Sequence, residues 1–265
     1  MFNRKWSYYD TSFAKSPMMS FAVDDMLQVK ISQDGIGKLR AWVHDKYVIL
    51  GLHDARLPYL RDGLSYLKGG GYSYIVRNSG GLGVVLDEGI LNFTIVVGRG
   101  EVLDIDDGYE MMLRLVREAF SDAKVEAYEI ERSYCPGSYD LSINGRKFAG
   151  ISQRRIKDGV AVQIYLCVTG SGAARAQVMR EFYQHARRGE ETKFHYPDID
   201  PESMASLSEL LEVELNVDDV LSLLLESVEA MGGDVSPVRA LCAEDVAEVE
   251  HQYDRMMKRN KDIVI

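Results

Sequence analysis

The sequence predicts an α+β fold, in which a mixed, mostly antiparallel sheet is packed by helices and followed by a helical C-terminal extension. Short segments rich in β-branched and aromatic residues, each bounded by turn residues, recur between Lys38 and Val168. Segments with apolar residues at helical spacing lie between these strands, whereas only helical patterns follow Tyr196. We therefore expect a main domain over residues 1–198 and a helical extension over residues 199–265 that packs on it.

The N-terminal part of the chain begins with a helix, which is predicted at Met19–Gln33 from its apolar spacing. Lys38–Asp45 and Tyr47–Leu52 are expected to form a strand pair. A helix after Pro58 would end at the triple glycine Gly69–Gly71, because glycine disfavours helix continuation. Further strands are predicted at Tyr72–Arg77, Leu82–Leu86 and Leu91–Val97.

An amphipathic helix follows, with Asp106 and Asp107 as its expected cap and Met111 and Leu115 on its apolar face. The remaining elements alternate strand and helix before the helical extension begins. Strands are predicted at Val125–Ile130, Tyr139–Ile143, from Arg146 onward and at Gly159–Val168, and helices at Ala173–Arg188, Pro201–Leu211, Val217–Met231 and Ala243–Lys258.

Composition and charge exclude several classes of protein. The chain has 31 basic and 41 acidic residues and a formal net charge of −10, so we expect no nucleic-acid partner. Three dispersed cysteines are too few for a disulfide framework or a zinc site, and no apolar stretch is long enough to span a membrane. The N-terminus lacks the apolar core of a signal peptide. These features predict a cytoplasmic protein with no membrane partner.

One segment, Ser133–Arg155, places a cysteine and a lysine around a hairpin. Cys135 precedes a Pro-Gly pair, and Lys147 follows Asn144-Gly145, which is a strong signal for a two-residue β-hairpin loop. A thiol on a turn can be accessible, and an ammonium group folded back towards it would favour the thiolate. The two residues together predict an acyl-transfer site.

A second segment, Arg77–Asn92, contains the glycine pair Gly80-Gly81 close to an arginine. Glycines allow the backbone to approach a ligand closely, and Arg77 is suited to face a carbonyl or carboxylate. On these residues alone, an ordinary turn between two strands explains the segment equally well.

The two segments together resemble the lipoate-protein ligase and octanoyltransferase superfamily. Arg77–Asn92 is similar to its R-R-x-S-G-G-G-x-V-x-H-D…N signature, and Gly145–Gly150 is similar to its G-K/R-K-I/L/V/F-x-G lysine motif, in the same order and at a fitting separation. The resemblance covers about residues 15–235. It implies the α+β fold of a biotin/lipoate-protein ligase catalytic domain, here an acyltransferase domain at residues 1–198.

Within the superfamily, Ser133–Arg155 most resembles amidotransferases that move octanoyl from the glycine-cleavage H protein to lipoyl domains of 2-oxoacid dehydrogenase acyltransferase subunits. The resemblance implies that Cys135 carries the octanoyl group as a thioester, while Lys147 holds the acyl carbonyl and stabilises the oxyanion. The substrate-binding residues that it implies are Arg77, Ser79, Gly80, Gly81 and Gly150. An apolar tunnel for the acyl chain is expected to include Val84, Val85, Phe93 and Ile151.

Three departures from the ligase pattern bear on the reaction. Asn78, Leu82 and Leu86 stand where the ligases usually have arginine, glycine and histidine, and the ligases lack a cysteine at position 135. These changes disfavour use of ATP and favour a thioester intermediate. We expect no cofactor, no metal and a monomer.

Three other functions stay open. The nearest alternative takes octanoyl from acyl-carrier protein, although that relative's lysine motif tends to read K-K-L-V-G-S-A-Q. An ATP-dependent lipoate ligase is disfavoured by Leu82, Leu86 and Cys135. A non-catalytic lipoyl-domain binder belongs to a different class, and the intact Cys135 and Lys147 disfavour it.

Several other residues are interpreted as structural. Cys167 and Cys242 are expected to be buried small residues. Arg154, Arg155 and Lys157 are expected to form a solvated rim, with docking of acidic protein surfaces as the alternative.

Overall fold

The computed structural model describes residues 2–9, 11, 14–102 and 104–263. Its strands are β1 (Lys5–Tyr9), β2 (Gly37–Trp42), β3 (Tyr47–Leu50), β4 (Ser73–Val76), β5 (Val84–Leu86), β6 (Ile90–Gly98), β7 (Glu126–Ala127), β8 (Leu141–Ile143), β9 (Arg146–Ile156), β10 (Gly159–Cys167) and β11 (Asp234–Val235). Its α-helices are α1 (Pro17–Asp34), α2 (Leu60–Gly69), α3 (Ile105–Ala119), α4 (Gly172–Arg187), α5 (Leu207–Leu211), α6 (Val217–Ala230) and α7 (Ala243–Asn260). Short 3₁₀ turns lie at Asp54–Arg56 and Pro201–Ser203.

The described strands form one large and one small sheet. The large sheet has eight strands in the order β11-β1-β2-β6-β10-β9-β8-β7. In this sheet β1 pairs in parallel with β11 and β2, and all the other neighbouring strands pair antiparallel. The small sheet has the order β4-β3-β5, so β4 lies at an edge. The predicted mixed, mostly antiparallel α+β architecture is confirmed.

Helices cover both faces of the large sheet. Helix α1 packs on β10, β6 and β2, with α7 on its outer side, whereas α3 and α6 pack together on the opposite face. The small sheet packs against α2 and α4. The helical extension therefore contacts the rest of the chain on both faces of the sheet, and the boundary at residue 198 stays a prediction.

The helix ends follow from local chemistry. Ser16 caps α1, where its hydroxyl accepts the N–H of Met19, and Gly35 ends this helix in a left-handed conformation. The cap of α3 is Asp104, whose side chain accepts the N–H of Asp107 while the Asp107 side chain accepts the N–H of Asp104. The expected Asp106 cap is therefore displaced by two residues.

One expectation about strand pairing and two about the extension are wrong. The segments at 38–45 and 47–52 do not pair with each other, because β2 joins β1 and β6 in the large sheet while β3 joins the small one. The helix expected at Pro201–Leu211 is split into a 3₁₀ turn and α5. The extension also contributes β11, which adds to the edge of β1. Non-local pairing of this kind leaves little trace in a local pattern.

No helix in the described part of the chain is both long enough and apolar enough to cross a membrane.

Candidate active site

A tight hairpin carries the lysine of the site, as the sequence predicts. Asn144 and Gly145 both have positive φ, at 52° and 76°, which fits a type I′ loop between β8 and β9. The register shifts between Leu141 and Ser142, so a bulge interrupts the ladder just before the loop. The returning strand places Lys147 beside Ser142, with its side chain only 2% exposed.

Cys135 lies on a turn with an unusual backbone. Its φ is +47°, in the left-handed region that residues other than glycine seldom adopt, and such strain is common at functional sites. The thiol is half-buried. Its Sγ accepts the Leu82 N–H at 3.1 Å and lies 3.3 Å from Nη2 of Arg77. The cation in direct contact with the sulfur is thus a guanidinium from the glycine-rich segment.

The ammonium of Lys147 holds the backbone of this turn. Its Nζ donates to the carbonyl oxygens of Tyr134 and Cys135 at 3.0 and 2.9 Å, and to the hydroxyl of Ser133 at 3.1 Å. A fourth acceptor is Asp140, whose Oδ1 lies 2.8 Å away. Three N–H bonds are therefore shared among four acceptors.

Asp140 is a site residue that the sequence reasoning missed. Its Oδ2 accepts the N–H groups of Ile130 and Gly137, while its Oδ1 pairs with Lys147. Burial raises the pKa of this carboxyl, and Lys147 opposes that effect. A signal was present, because Asp140 is the only acidic residue between Arg132 and Lys157. It is therefore the sole local counter-ion for a buried lysine in this segment.

The glycine-rich loop forms the opposite wall of the site. Gly81 has a φ of +99°, and a Cβ there would lie 2.8 Å from Sγ of Cys135 and 2.2 Å from Nη2 of Arg77. Arg77 also donates to the Leu82 carbonyl at 2.6 Å. Only glycine therefore lets the loop approach the sulfur this closely. At Gly80, by contrast, a Cβ would meet nothing within 4 Å.

Buried polar groups also hold the glycine-rich loop in place through hydrogen bonds to its backbone. The Asp54 carboxylate accepts the Gly51 N–H at 2.7 Å and the Tyr183 hydroxyl at 3.0 Å, and that hydroxyl accepts the Gly83 N–H at 3.2 Å. Burial raises the pKa of Asp54 to about 6. This series of hydrogen bonds, from Asp54 through Tyr183 to Gly83, thus supports the loop that contacts Cys135.

A cavity of about 420 Å³ lies between the two sheets, and this volume is typical of small-molecule sites. Six predicted site residues line it, namely Cys135, Lys147, Arg77, Gly80, Gly81 and Gly150. Ser79 is buried and lies outside the lining, and its Oγ has no hydrogen-bond partner among the described residues. Of the expected tunnel residues, Val84, Phe93 and Ile151 line the cavity. Val85 does not, because the next residue along a strand faces the opposite side.

Part of the cavity wall is polar, which the sequence reasoning did not anticipate. Thr94, Gln163 and Ser152 stand side by side on β6, β10 and β9, and all three line the cavity. The Gln163 amide donates to Asp24 at 2.6 Å, whereas its Oε1 has no partner among the described residues. The signal was Gln163 itself, since it interrupts the otherwise apolar run of β10.

Arg154 does not belong to a solvated rim. It forms a bidentate pair with Asp25 at 2.6 and 3.0 Å, and it donates to the Asn78 carbonyl at 2.9 Å. Burial raises the pKa of Asp25, and Arg154 opposes that effect. Arg154 therefore joins β9 to α1 and to the glycine-rich loop, while Lys157 is exposed as expected.

The other two cysteines differ from each other. Cys167 is fully buried, as expected, and burial raises the pKa of its thiol to about 11, so it is poorly reactive at neutral pH. Cys242 is exposed at the start of α7, so the expectation that it is buried is wrong. Cys242 caps α7 and is followed by Glu244 and Asp245 in the first turn, so it lies at an exposed helix end and not in the core.

The sequence of the whole chain is similar to proteins of one family. The family model of the lipoyl protein ligase A/B catalytic domain matches residues 16–229. Octanoyl-[GcvH]:protein N-octanoyltransferase of Macrococcus caseolyticus is 53% identical over 268 aligned positions, which cover 100% of this chain and 97% of that protein. The protein of the same name from Staphylococcus aureus is 47% identical over 263 positions, which cover 98% and 94%.

Solved structures with this fold are more distant in sequence. A putative lipoate protein ligase from Thermoplasma acidophilum with bound lipoic acid has a TM-score of 0.71 at 18% identity, covering 96% of this chain and 95% of that one. Lipoate-protein ligase A bound with ATP has a TM-score of 0.74 at 18% identity, covering 95% of both chains. These structures confirm the predicted ligase-like fold. Because the family model spans most of the sequence and relatives of 47–53% identity span nearly all of it, the chain belongs to the lipoyl protein ligase A/B catalytic domain family and is an acyltransferase.

Proposed function

We propose that this enzyme moves octanoyl from the lipoyl-lysine of the glycine-cleavage H protein to lysines of lipoyl domains in 2-oxoacid dehydrogenase acyltransferase subunits. A thioester on Cys135 carries the acyl group between the two lysines. The observation that carries the proposal is the position of Sγ, which lines the cavity between the Arg77 guanidinium and the Leu82 N–H. The names of the relatives support octanoyl as the acyl group and the H protein as a substrate.

In the first half-reaction, the sulfur of Cys135 attacks the carbonyl carbon of octanoyl-lysine, and the carbonyl oxygen becomes an oxyanion. Arg77 is suited to stabilise this oxygen, because it touches the sulfur and its Nε has no hydrogen-bond partner among the described residues. The C–N bond then breaks, the thiol proton ends on the departing lysine nitrogen, and the C–S bond remains as the thioester.

In the second half-reaction, the neutral amine of an acceptor lysine attacks the thioester carbon. The C–S bond breaks, the sulfur is restored, and the proton lost by the new amide nitrogen returns to the thiol. One lysine amide is consumed and one is formed, so the exchange is close to thermoneutral. It requires neither ATP nor a metal.

The first role of Lys147 is to stabilise the turn that contains Cys135. Its bonds to the carbonyls of Tyr134 and Cys135 hold the strained backbone that presents Sγ to the cavity. Because its three N–H bonds already serve four acceptors, Lys147 engages the acyl carbonyl only by exchanging one of those bonds. Arg77 therefore supplies the positive charge at the sulfur, and Lys147 supports the turn and the substrate carbonyl.

The test is intact-protein mass spectrometry after mixing the enzyme with octanoyl-H protein in the absence of ATP. An octanoyl adduct is expected on the wild type and on Cys242→Ala, which removes an exposed cysteine away from the cavity. No adduct is expected on Cys135→Ala, and apo lipoyl domain should discharge the wild-type adduct.

Two outcomes would contradict the proposal. An adduct formed only from octanoyl-acyl-carrier protein would favour that donor. Absence of an adduct from both donors, together with product formation only when ATP is added, would favour a ligase.

A further inference from the structure

The last residue of α7 contacts the small sheet next to the site. The Val76 N–H donates to Oδ1 of Asn260 at 2.6 Å, and Nδ2 of Asn260 donates to the Val76 carbonyl at 3.0 Å. The same Nδ2 donates to the carbonyl of Met256, and Asn260 is only 1% exposed. This side chain thus forms with β4 the reciprocal pair of bonds that a neighbouring strand would form.

The position of this contact is informative because β4 is an edge strand. On its other side, Val76 pairs with Leu50 in β3, and the N–H of Arg77 donates to the Leu50 carbonyl at 2.9 Å. Asn260 therefore satisfies the free edge at the residue that immediately precedes Arg77. The peptide that carries the Arg77 side chain is fixed from both sides.

We propose that Asn260 is a positioning residue for Arg77, so that the C-terminal helix completes the site without touching the substrate. The proposal rests on the function proposed above in that it takes Cys135 as the reacting group. The path is short: Asn260 holds Val76, Val76 fixes the start of the Arg77 side chain, and Arg77 contacts Sγ of Cys135.

The docking of α7 itself does not depend on this carboxamide. Lys30 of α1 forms an ion pair with Asp245 near the start of α7, and Val249 packs in the core cluster of α1. Met256 is almost fully buried in the cluster of the small sheet. Removing the carboxamide of Asn260 should therefore leave the helix in place while freeing the edge of β4.

The experiment compares Asn260→Ala and Asn260→Asp with Met257→Ala, a control on the half-exposed side of the same turn. The first readout is the ratio of Cys135 alkylation rates with iodoacetate and iodoacetamide, measured on the Cys242→Ala background. A guanidinium beside the sulfur favours the anionic reagent over the neutral one, so this ratio reports whether Arg77 is in place. The second readout is the split between kcat and KM in octanoyl transfer.

For Asn260→Ala we expect the alkylation ratio to fall several-fold, to the value of an Arg77→Met variant, with kcat reduced at least tenfold and KM unchanged. Asn260→Asp keeps the acceptor for the Val76 N–H but loses the donor to its carbonyl, so an intermediate ratio is expected. Met257→Ala should match the wild type in both readouts.

A wild-type alkylation ratio in both Asn260 variants would overturn the proposal, whatever the transfer activity. If Asn260→Ala does not fold, the Asn260→Asp variant alone decides. Because alkylation needs no acyl substrate, this result stands even if the enzyme proves to use another donor.

Discussion

Asp140 and Lys147 form a 2.8 Å ion pair in which the two side chains are only 3% and 2% exposed. The carboxylate also accepts the backbone N–H of Gly137, two residues after Cys135, and the ammonium donates to the carbonyl of Cys135 itself. One buried pair thus holds the turn on both sides of the Cys135 sulfur. The conformation of the turn at Cys135 is therefore stabilised by this pair as well as by the Pro-Gly sequence.

Replacing Asp140 with asparagine should lower both stability and activity. The substitution leaves the Lys147 ammonium buried without a counter-ion, and loss of one partner of a buried pair costs about 3–5 kcal/mol. We expect the free energy of unfolding in urea to fall by about that amount, and thioester formation on Cys135 to slow at least tenfold.

A double-mutant cycle separates the pair from its parts. Lys147→Met removes the charge and keeps most of the volume, so Asp140→Asn with Lys147→Met should cost less stability than the sum of the two single changes. Additive losses would mean that the ion pair does not stabilise the turn.

Gly81→Ala is expected to block the site locally. The new Cβ would lie 2.8 Å from Sγ of Cys135 and 2.2 Å from Nη2 of Arg77, at a φ of +99° that disfavours alanine. The arginine or the cysteine must then move, so the rate of thioester formation should fall at least 100-fold, by roughly 3 kcal/mol in activation free energy. Rapid quench followed by mass spectrometry measures this rate.

Gly80→Ala is the matched control, because its Cβ meets nothing within 4 Å and its φ is not positive. Its rate should stay within about threefold of the wild type, or roughly 0.6 kcal/mol. Equal losses in the two variants would show that the loop needs glycine for flexibility, and not for close approach at Gly81.

Much of the site could be predicted from the sequence because its signals are local. Asn144-Gly145 fixes a hairpin whatever surrounds it, so the position of Lys147 after the turn follows from backbone chemistry. The Pro-Gly pair after Cys135 likewise places the thiol on a turn. For the same reason, the helices α1, α2, α3, α4, α6 and α7 lie close to their predicted ranges.

The remaining features depend on contacts between distant segments. The strands at 38–45 and 47–52 look like a hairpin, but burial of each in a different sheet outweighs the local turn. The cation at the sulfur is Arg77, which is 58 residues from Cys135 in the sequence. The pairing of Asn260 with Val76 spans 184 residues. The joint resemblance of the two motifs assigns Arg77 and Cys135 to one site, but no local pattern predicts their direct contact or the pairing of Asn260 with Val76.

Asp54 should give stability a pH dependence of a definite sign. Its pKa is raised to about 6 in the folded protein from 3.8, so over this range the folded state holds a proton that the unfolded state has lost. Stability from this group is therefore greatest below the unfolded pKa and is lost as the pH rises through the folded pKa, by up to about 3 kcal/mol. Asp54→Asn removes the titration.

The quantity to measure is the free energy of unfolding of the wild type minus that of Asp54→Asn, between pH 4 and pH 7. We expect this difference to become less favourable to the wild type as the pH rises. Burial lowers the pKa of His44 to about 4, which gives the opposite slope, but this histidine is present in both proteins and its effect cancels. A difference independent of pH would show that Asp54 titrates normally.

Val84 is expected to set the length of the acyl chain that the enzyme accepts. It lines the cavity from β5. Each buried methylene contributes about 0.8 kcal/mol, or roughly fourfold in rate, so the two extra methylenes of octanoyl should speed thioester formation about fifteenfold over hexanoyl. Val84→Phe should fill part of the cavity and shift the preference to shorter chains, whereas Val84→Ala should extend it to longer ones. The measurement is the rate of adduct formation on Cys135 with hexanoyl, octanoyl and decanoyl H protein. The two variants are controls for each other, because a general loss of stability would slow the reaction with all three donors by the same factor. If both substitutions change the three rates by the same factor, the acyl chain does not contact Val84 and the prediction is wrong.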